Sequence, residues 1–138
     1  MASFTGSFSL KTSGRDDIHD ITQQVRQQVS ESGMMDGIAC VFVSGSTAAV
    51  TTVEFEPGLV KDLQEAMERL YPKGIEYEHH LRWGDGNGHS HVRASMLGPS
   101  LVVPFKGGEL MLGTWQQIVL MELDVRARSR DIVVQVIG

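Results

Sequence analysis

"SLVVPFKGGELMLGTWQQIVLMEL", residues 100–123, decides how this chain folds. It divides at the turn residues "KGG" and at Gly113 into three apolar runs, "SLVVPF", "ELMLG" and "TWQQIVLMEL". Runs of this length bounded by glycine read as successive strands, and "DIVVQVI" (131–137) reads as another. Strands joined by short turns, with no helix between them, run antiparallel. Just before them, "HVRASMLG" (91–98) has room for two helical turns closed by Gly98 and Pro99.

Further back, Pro57 suits the first turn of a helix with the apolar stripe Leu59, Leu63, Met67 and Leu70. The unbroken apolar run "IACVFV" (38–43) reads as a strand covered on both faces. Through the small turn "SGS" it leads into "TAAVTTVE" (47–54), which predicts a hairpin. Asp16 and Asp17 offer capping oxygens to a helix with the stripe Ile18, Ile21, Val25 and Val29, ended by Gly33. At the start of the chain, Phe4, Phe8 and Leu10 share one parity, the pattern of a half-buried strand. The order β–α–β–β–α–loop–α–β–β–β–β predicts an α+β domain spanning residues 1–138, with a mostly antiparallel sheet, two longer helices and one short one.

Composition narrows the function. A chain of 138 residues with 41% hydrophobic content suits one core. A net charge of -5 argues against nucleic acid or an anionic membrane as partner. Cys40 is the single cysteine, which excludes an internal disulfide and fits a reducing compartment. Neither a signal-peptide pattern at the start nor a long apolar span is present, so a cytoplasmic location is expected.

The chemistry concentrates in "HHLRWGDGNGHSH" (79–91), which holds four of the five histidines. Neutral imidazole is a common ligand for zinc and related divalent metals, and a site needs three or four donors at one point. His89 and His91 face the same way only if residues 85 to 91 are extended; on a helix they diverge by about 200°. Gly86 and Gly88 favour the extended loop. His79 or His80 would supply the third donor, with Asp85 as an oxygen donor or as the partner of a ligating imidazole.

Ser46 and Thr47 stand at a turn whose hydroxyls and backbone N–H groups suit a phosphate, although taken alone a plain tight turn is the favoured reading. Glu122, Asp124, Arg126, Arg128 and Arg130 alternate at one parity, which makes either an anion-binding face or a salt-bridge ladder. Trp115 and Gln116 point to opposite sides of a strand, so only one of them reaches a given site. Glu54 ends its strand as a general base, as an orienter of a ligating histidine, or as a cap for the Pro57 helix.

Four blocks in order, "STAAVTTVE" (46–54), "YEH" (77–79), "DGNGHSHVRASMLGPSLVVP" (85–104) and "LGTWQQIVLMELD" (112–124), resemble the YjbQ-like family. The resemblance covers nearly the whole chain. It implies a compact α+β fold, a homotrimer with His-rich sites near the subunit contacts, and secondary thiamine-phosphate synthase activity. His79, His91, Glu54, Asp85, Trp115 and Gln116 match the family pattern. Where many members read Pro-His-Thr-Ser/Thr-Ala, this chain has Ser44-Gly45-Ser46-Thr47-Ala48, so Gly45 replaces a histidine and His89 becomes the substitute donor.

The reaction so implied joins a pyrimidine pyrophosphate to a thiazole phosphate. A divalent ion, zinc or magnesium, would be held by His79, His89 and His91. Ser46, Thr47, Trp115, Arg126 and Arg128 would hold the phosphorylated metabolite, and Glu54, Asp85 and Gln116 would serve catalysis. The alternatives are a trimeric binding protein without turnover and a metal-assisted phosphate-ester hydrolase.

Overall fold

A computed structural model describes residues 1–138. The elements in order are β1 (Ser3–Lys11), β2 (Ile18–Asp20), α1 (Thr22–Ser32), β3 (Gly37–Ser44), β4 (Ala48–Val53) and α2 (Pro57–Leu70). They continue with α3 (Glu78–Trp83), α4 (Gly88–Leu97), β5 (Ser100–Lys106), β6 (Glu109–Leu110), β7 (Gln117–Glu122) and β8 (Ser129–Ile137). The strands make two antiparallel sheets, one ordered β1-β8-β3-β5-β6 and the other β2-β7-β4. The expected α+β class stands, with the antiparallel strands shared between two sheets.

The predicted hairpin is not formed. Both edges of β3 are occupied, one by β5 and the other by β8, so β4 has no edge to pair with. Residues 45–47 instead carry the chain to the second sheet, where β4 pairs with β7. That crossing brings the two sheets face to face. Val41, Val43, Ile132, Val134 and Val136 of the large sheet pack on Ala48, Val50, Ile118 and Leu120 of the small one. Val25 and Val29 of α1 belong to the same core, where each fully buried aliphatic side chain contributes about 1.5–3 kcal/mol.

The strand covered on both faces is β7, not β3. While Ile118 and Leu120 face the main core, Val119, Met121 and Leu123 pack with Ala94 on the other side. On β3 only one face is covered within the chain; Ile38 and Phe42 remain 41% and 42% exposed.

Two helix starts also differ from expectation. Ile18 lies in β2, so Asp16 and Asp17 do not cap α1; the Asp20 carboxylate accepts the Thr22 N–H at 2.9 Å instead. Helix α4 begins at Gly88, earlier than expected, and the segment 78–83 is itself helical. The expected ends at Gly33 and Gly98 are both found. Leu70, placed on the buried stripe of α2, is exposed because that helix runs out past the core.

Candidate functional site

The early start of α4 sets the histidine geometry. Gly88 packs its first turn so closely on α3 that a Cβ there would lie 2.6 Å from Tyr77 Cβ and 3.3 Å from His79 Cβ. This approach brings His79 and His91 ring to ring, with centroids 4.6 Å apart and planes tilted by 39°. His79 Nδ1 is buried and has no hydrogen-bond partner, and Asp85 Oδ1 lies 3.6 Å from it.

His89 does not join this pair, which corrects the expectation of three converging imidazoles. On a helix it points away from His91, and it is 2% exposed, with its ring 6.3 Å from that of Tyr77. Burial, then the positive charges of Arg93 and Lys73, holds its pKa below the usual histidine value, so it is neutral at pH 7. His80 is turned toward Tyr77 and accepts the Gly88 N–H at 3.4 Å. Within one chain no three His, Cys, Asp or Glu side chains are grouped to hold a metal.

Two cavities flank the His79–His91 pair. One, of about 160 Å³, is lined by Gly45, Ser46, His91 and Ser95. The other, of about 120 Å³, is lined by Asp85, Asn87, Asp124 and Arg126. The Asn87 amide lies between the two acids of this second cavity and donates to one of them at a time. Its NH₂ reaches Asp124 Oδ1 at 3.3 Å in one orientation and Asp85 Oδ1 at 2.9 Å in the other.

Beneath the cavities lies a buried ion network that replaces the expected alternating face. Strand β7 ends at Glu122 and β8 starts at Ser129, so the parity is broken between them. Arg130 Nε donates to Glu122 Oε2 at 2.7 Å, and its Nη2 donates to Glu122 Oε1 and to Thr47 Oγ1. The Thr12 hydroxyl donates to Glu122 Oε2 at 2.6 Å. Arg128 gives two hydrogen bonds to Asp124 Oδ2, which also accepts the Thr47 hydroxyl at 3.0 Å.

Burial alone would raise the Asp124 carboxyl. The Val125 N–H, Arg128, Asn87 and Thr47 outweigh it and hold the pKa to about 2. Thr47 and Arg128 are therefore committed inside the chain. Of the proposed phosphate-binding groups, Ser46 and Arg126 face open space.

Glu54, Trp115 and Gln116 lie at the opposite end of β4. That strand spans roughly 20 Å between them and Ser46, with Ala48 paired to Glu122 at one end and Val53 to Gln117 at the other. Gln116 accepts the Gly113 N–H at 3.0 Å and donates to Thr52 Oγ1 at 3.3 Å, while Trp115 is 73% exposed. The exposed Glu54 does not cap α2: the Glu56 carboxylate does, accepting from Gly58 and Leu59. Nor does Glu54 meet Asp85, with which it was expected to serve catalysis in one site, because the two lie toward different ends of the small sheet.

The sequence profile of the family described as UPF0047 protein YjbQ-like matches residues 6–138. The chain belongs to that family. A UPF0047 protein of Archaeoglobus fulgidus is 41% identical over 127 residues, covering 92% of this chain and 96% of the relative. YugU of Bacillus subtilis, also a UPF0047 protein, is 32% identical, covering 96% of this chain and 98% of its own. Among solved structures, a YbjQ-like protein of unknown function from Sulfolobus solfataricus superposes with a TM-score of 0.89 at 35% identity, over 99% of both chains. A hypothetical protein from Aeropyrum pernix gives 0.91 at 38% identity, over 98% of both chains.

This UPF0047 chain also holds polar residues that its sequence did not announce. Arg93 is buried in α4; its Nε donates to the Tyr71 carbonyl at 2.9 Å and its Nη2 to Glu68 at 3.0 Å, which ties the histidine-bearing helix to α2. An arginine four residues before Leu97 carries no mark that distinguishes it from a surface residue. For Glu122 and Arg130 there was a signal, their shared parity and opposite charge. Their pairing needed the turn between β7 and β8. No helix of the chain is long and apolar enough to cross a membrane.

Proposed function

We propose that this is a cytoplasmic, metal-dependent transferase that forms thiamine phosphate, and that its working unit is a homotrimer. The observation that carries the reading is the His79–His91 pair, whose buried His79 Nδ1 has no partner in the chain and whose His91 opens onto a cavity. Two imidazoles beside the Asp85 side chain fit part of a divalent metal's donor set, with zinc favoured over magnesium by nitrogen ligands. The three side chains are not grouped closely enough in one chain to enclose an ion, and a donor from a second copy would complete the set.

The split of the site residues supports the same assembly. His79, His91, Asp85, Ser46 and Arg126 gather at one end of the small sheet; Glu54, Trp115 and Gln116 project at the other. Neighbouring copies packed end to end would complete one site from both halves. Ile38 and Phe42, with Val102 beside them, give the outer sheet face an apolar surface that a further copy can cover.

In the reaction, the bond from the pyrimidine methylene carbon to the pyrophosphate oxygen breaks. The electron pair leaves with pyrophosphate, and the thiazole nitrogen bonds to that carbon. A bound divalent ion would offset the charge that develops on the leaving group. Ser46 and Arg126 orient the phosphate oxygens, and Trp115 offers a ring face to the heterocycle. Glu54 and Gln116 position the substrate from the neighbouring copy.

The test supplies purified protein with the two substrates and zinc or magnesium and follows thiamine phosphate as its fluorescent oxidation product. Coupled product is expected. Release of the free pyrimidine alcohol alone would identify a hydrolase, and binding with no turnover would identify a binding protein.

A further inference from the structure

The turn at 45–47 has two features that the proposed reaction does not use. The backbone N–H groups of Gly45, Ser46 and Thr47 donate to nothing in the chain, although the turn joins two strands that are each paired in a sheet. Three successive free N–H groups form the kind of concavity that binds anions. Behind the turn, Arg130 is only 5% exposed and spends Nε and Nη2 on Glu122 and Thr47, while its Nη1 makes no hydrogen bond. A Cβ on Gly45 would lie 2.7 Å from that Nη1. Glycine therefore keeps the space between this guanidinium edge and the turn free of any side chain, and its φ of 157° makes a larger side chain strained as well.

We infer that the cavity beside His91 is a phosphoryl subsite, in which the N–H groups of the turn 45–47, with Arg130 Nη1 directly behind Gly45, hold a phosphate or diphosphate oxygen. Ser46 and Ser95 line the cavity with hydroxyls, and no carboxylate does. At about 160 Å³ the space is below the range of pockets that enclose whole small molecules, and it suits one tetrahedral group of a larger ligand. Arg130 is held rigid by Glu122, so its remaining donors are positioned before the anion arrives. From the preceding reading this inference takes only that the ligand carries a phosphate; it does not require turnover.

The test is a titration of the full-length protein with inorganic phosphate and with pyrophosphate, followed by backbone amide NMR without added metal. Saturable shifts at Gly45, Ser46 and Thr47 are expected. Ser95→Asp, at an exposed helix position, should weaken binding about tenfold or more by setting a negative charge in the cavity. Gly45→Ala should do the same by covering Nη1, and each variant's amide spectrum reports whether it is folded. Absence of shifts at residues 45–47, or equal affinity in folded Ser95→Asp and Gly45→Ala proteins, would overturn the subsite. Loss of synthase activity with these shifts intact would remove the proposed reaction and leave the subsite standing.

Discussion

His79 and His91 meet at 4.6 Å between ring centroids because Gly88 lets two helices approach more closely than any side chain would permit. The glycine acts at a distance from the chemistry: it has no role as a donor, yet the facing of the two imidazoles depends on it. Asp85 stands 3.6 Å from His79, and the pair opens on Ser46 across the first cavity.

The two histidines of "HSH" should separate cleanly on mutation. His91→Ala is expected to lose bound divalent metal and to reduce turnover by roughly a hundredfold, with little change in melting temperature. His89→Ala removes a buried ring packed against Tyr77 and should cost about 2 kcal/mol of stability while metal content stays at the wild-type level. Metal analysis and thermal melts of both proteins check this; equal metal in wild type and His91→Ala would end the ligand assignment.

Glu54 and Glu56 make a second contrast. Glu56→Ala removes the cap of α2 and should cost about 1 kcal/mol without affecting turnover. Glu54→Gln touches no internal contact, so stability should be native while turnover falls roughly a hundredfold. Mixing Glu54→Gln with His91→Ala and allowing subunits to exchange should restore part of the activity, because some sites then receive two intact halves. No recovery on mixing would place both residues in sites formed within one chain.

The Glu122–Arg130 pair predicts a stability effect that depends on which side is removed. Arg130→Ala strands the fully buried Glu122 carboxylate and should cost about 3–5 kcal/mol. Replacing both with apolar residues of similar volume should cost far less, since no charge is then left unpaired. Urea denaturation of the single and double variants measures the difference.

Acid sensitivity follows from two carboxyls. In Asp17, burial opposes the hydrogen bonds from His19 and Ser13, which prevail; in Asp124, burial is likewise outweighed. Each pKa is held to about 2, below the ordinary value of 3.8. A carboxyl depressed on folding stabilises the native state fully above the unfolded pKa, and that stability is lost as pH falls through the folded one. Unfolding free energy should therefore decline between about pH 4 and pH 2. Asp124→Asn should show a shallower decline over that window, and an unchanged slope would contradict the assignment.

The outer face of the large sheet gives a test of assembly. Phe42→Asp places a charge on the apolar surface around Ile38 and Val102 and should shift the protein toward monomer in light scattering. A wild-type protein that is monomeric at micromolar concentration would remove the shared site altogether.

Local patterns determined most of the elements. Alternating parity marked β1, apolar runs marked β3, β5 and β8, and Pro57, Gly33 and Gly98 marked helix ends, because each signal acts through its own backbone and nearest neighbours. The clustering of histidines showed where the chemistry would be. What the sequence could not determine was pairing. Whether Ala48 would lie beside Phe42 or Glu122 depended on which strand edges were already filled, and β8 and β5 arrive from far along the chain to fill those of β3. The same holds for the site: His89 was separated from His91 by a helix starting three residues sooner than expected, and Arg128 was drawn from the surface to Asp124 by a turn. Long-range packing, which no short window of residues contains, decided which strands pair, while Asp124–Arg128 and Glu122–Arg130, close in sequence, met through the turn between β7 and β8.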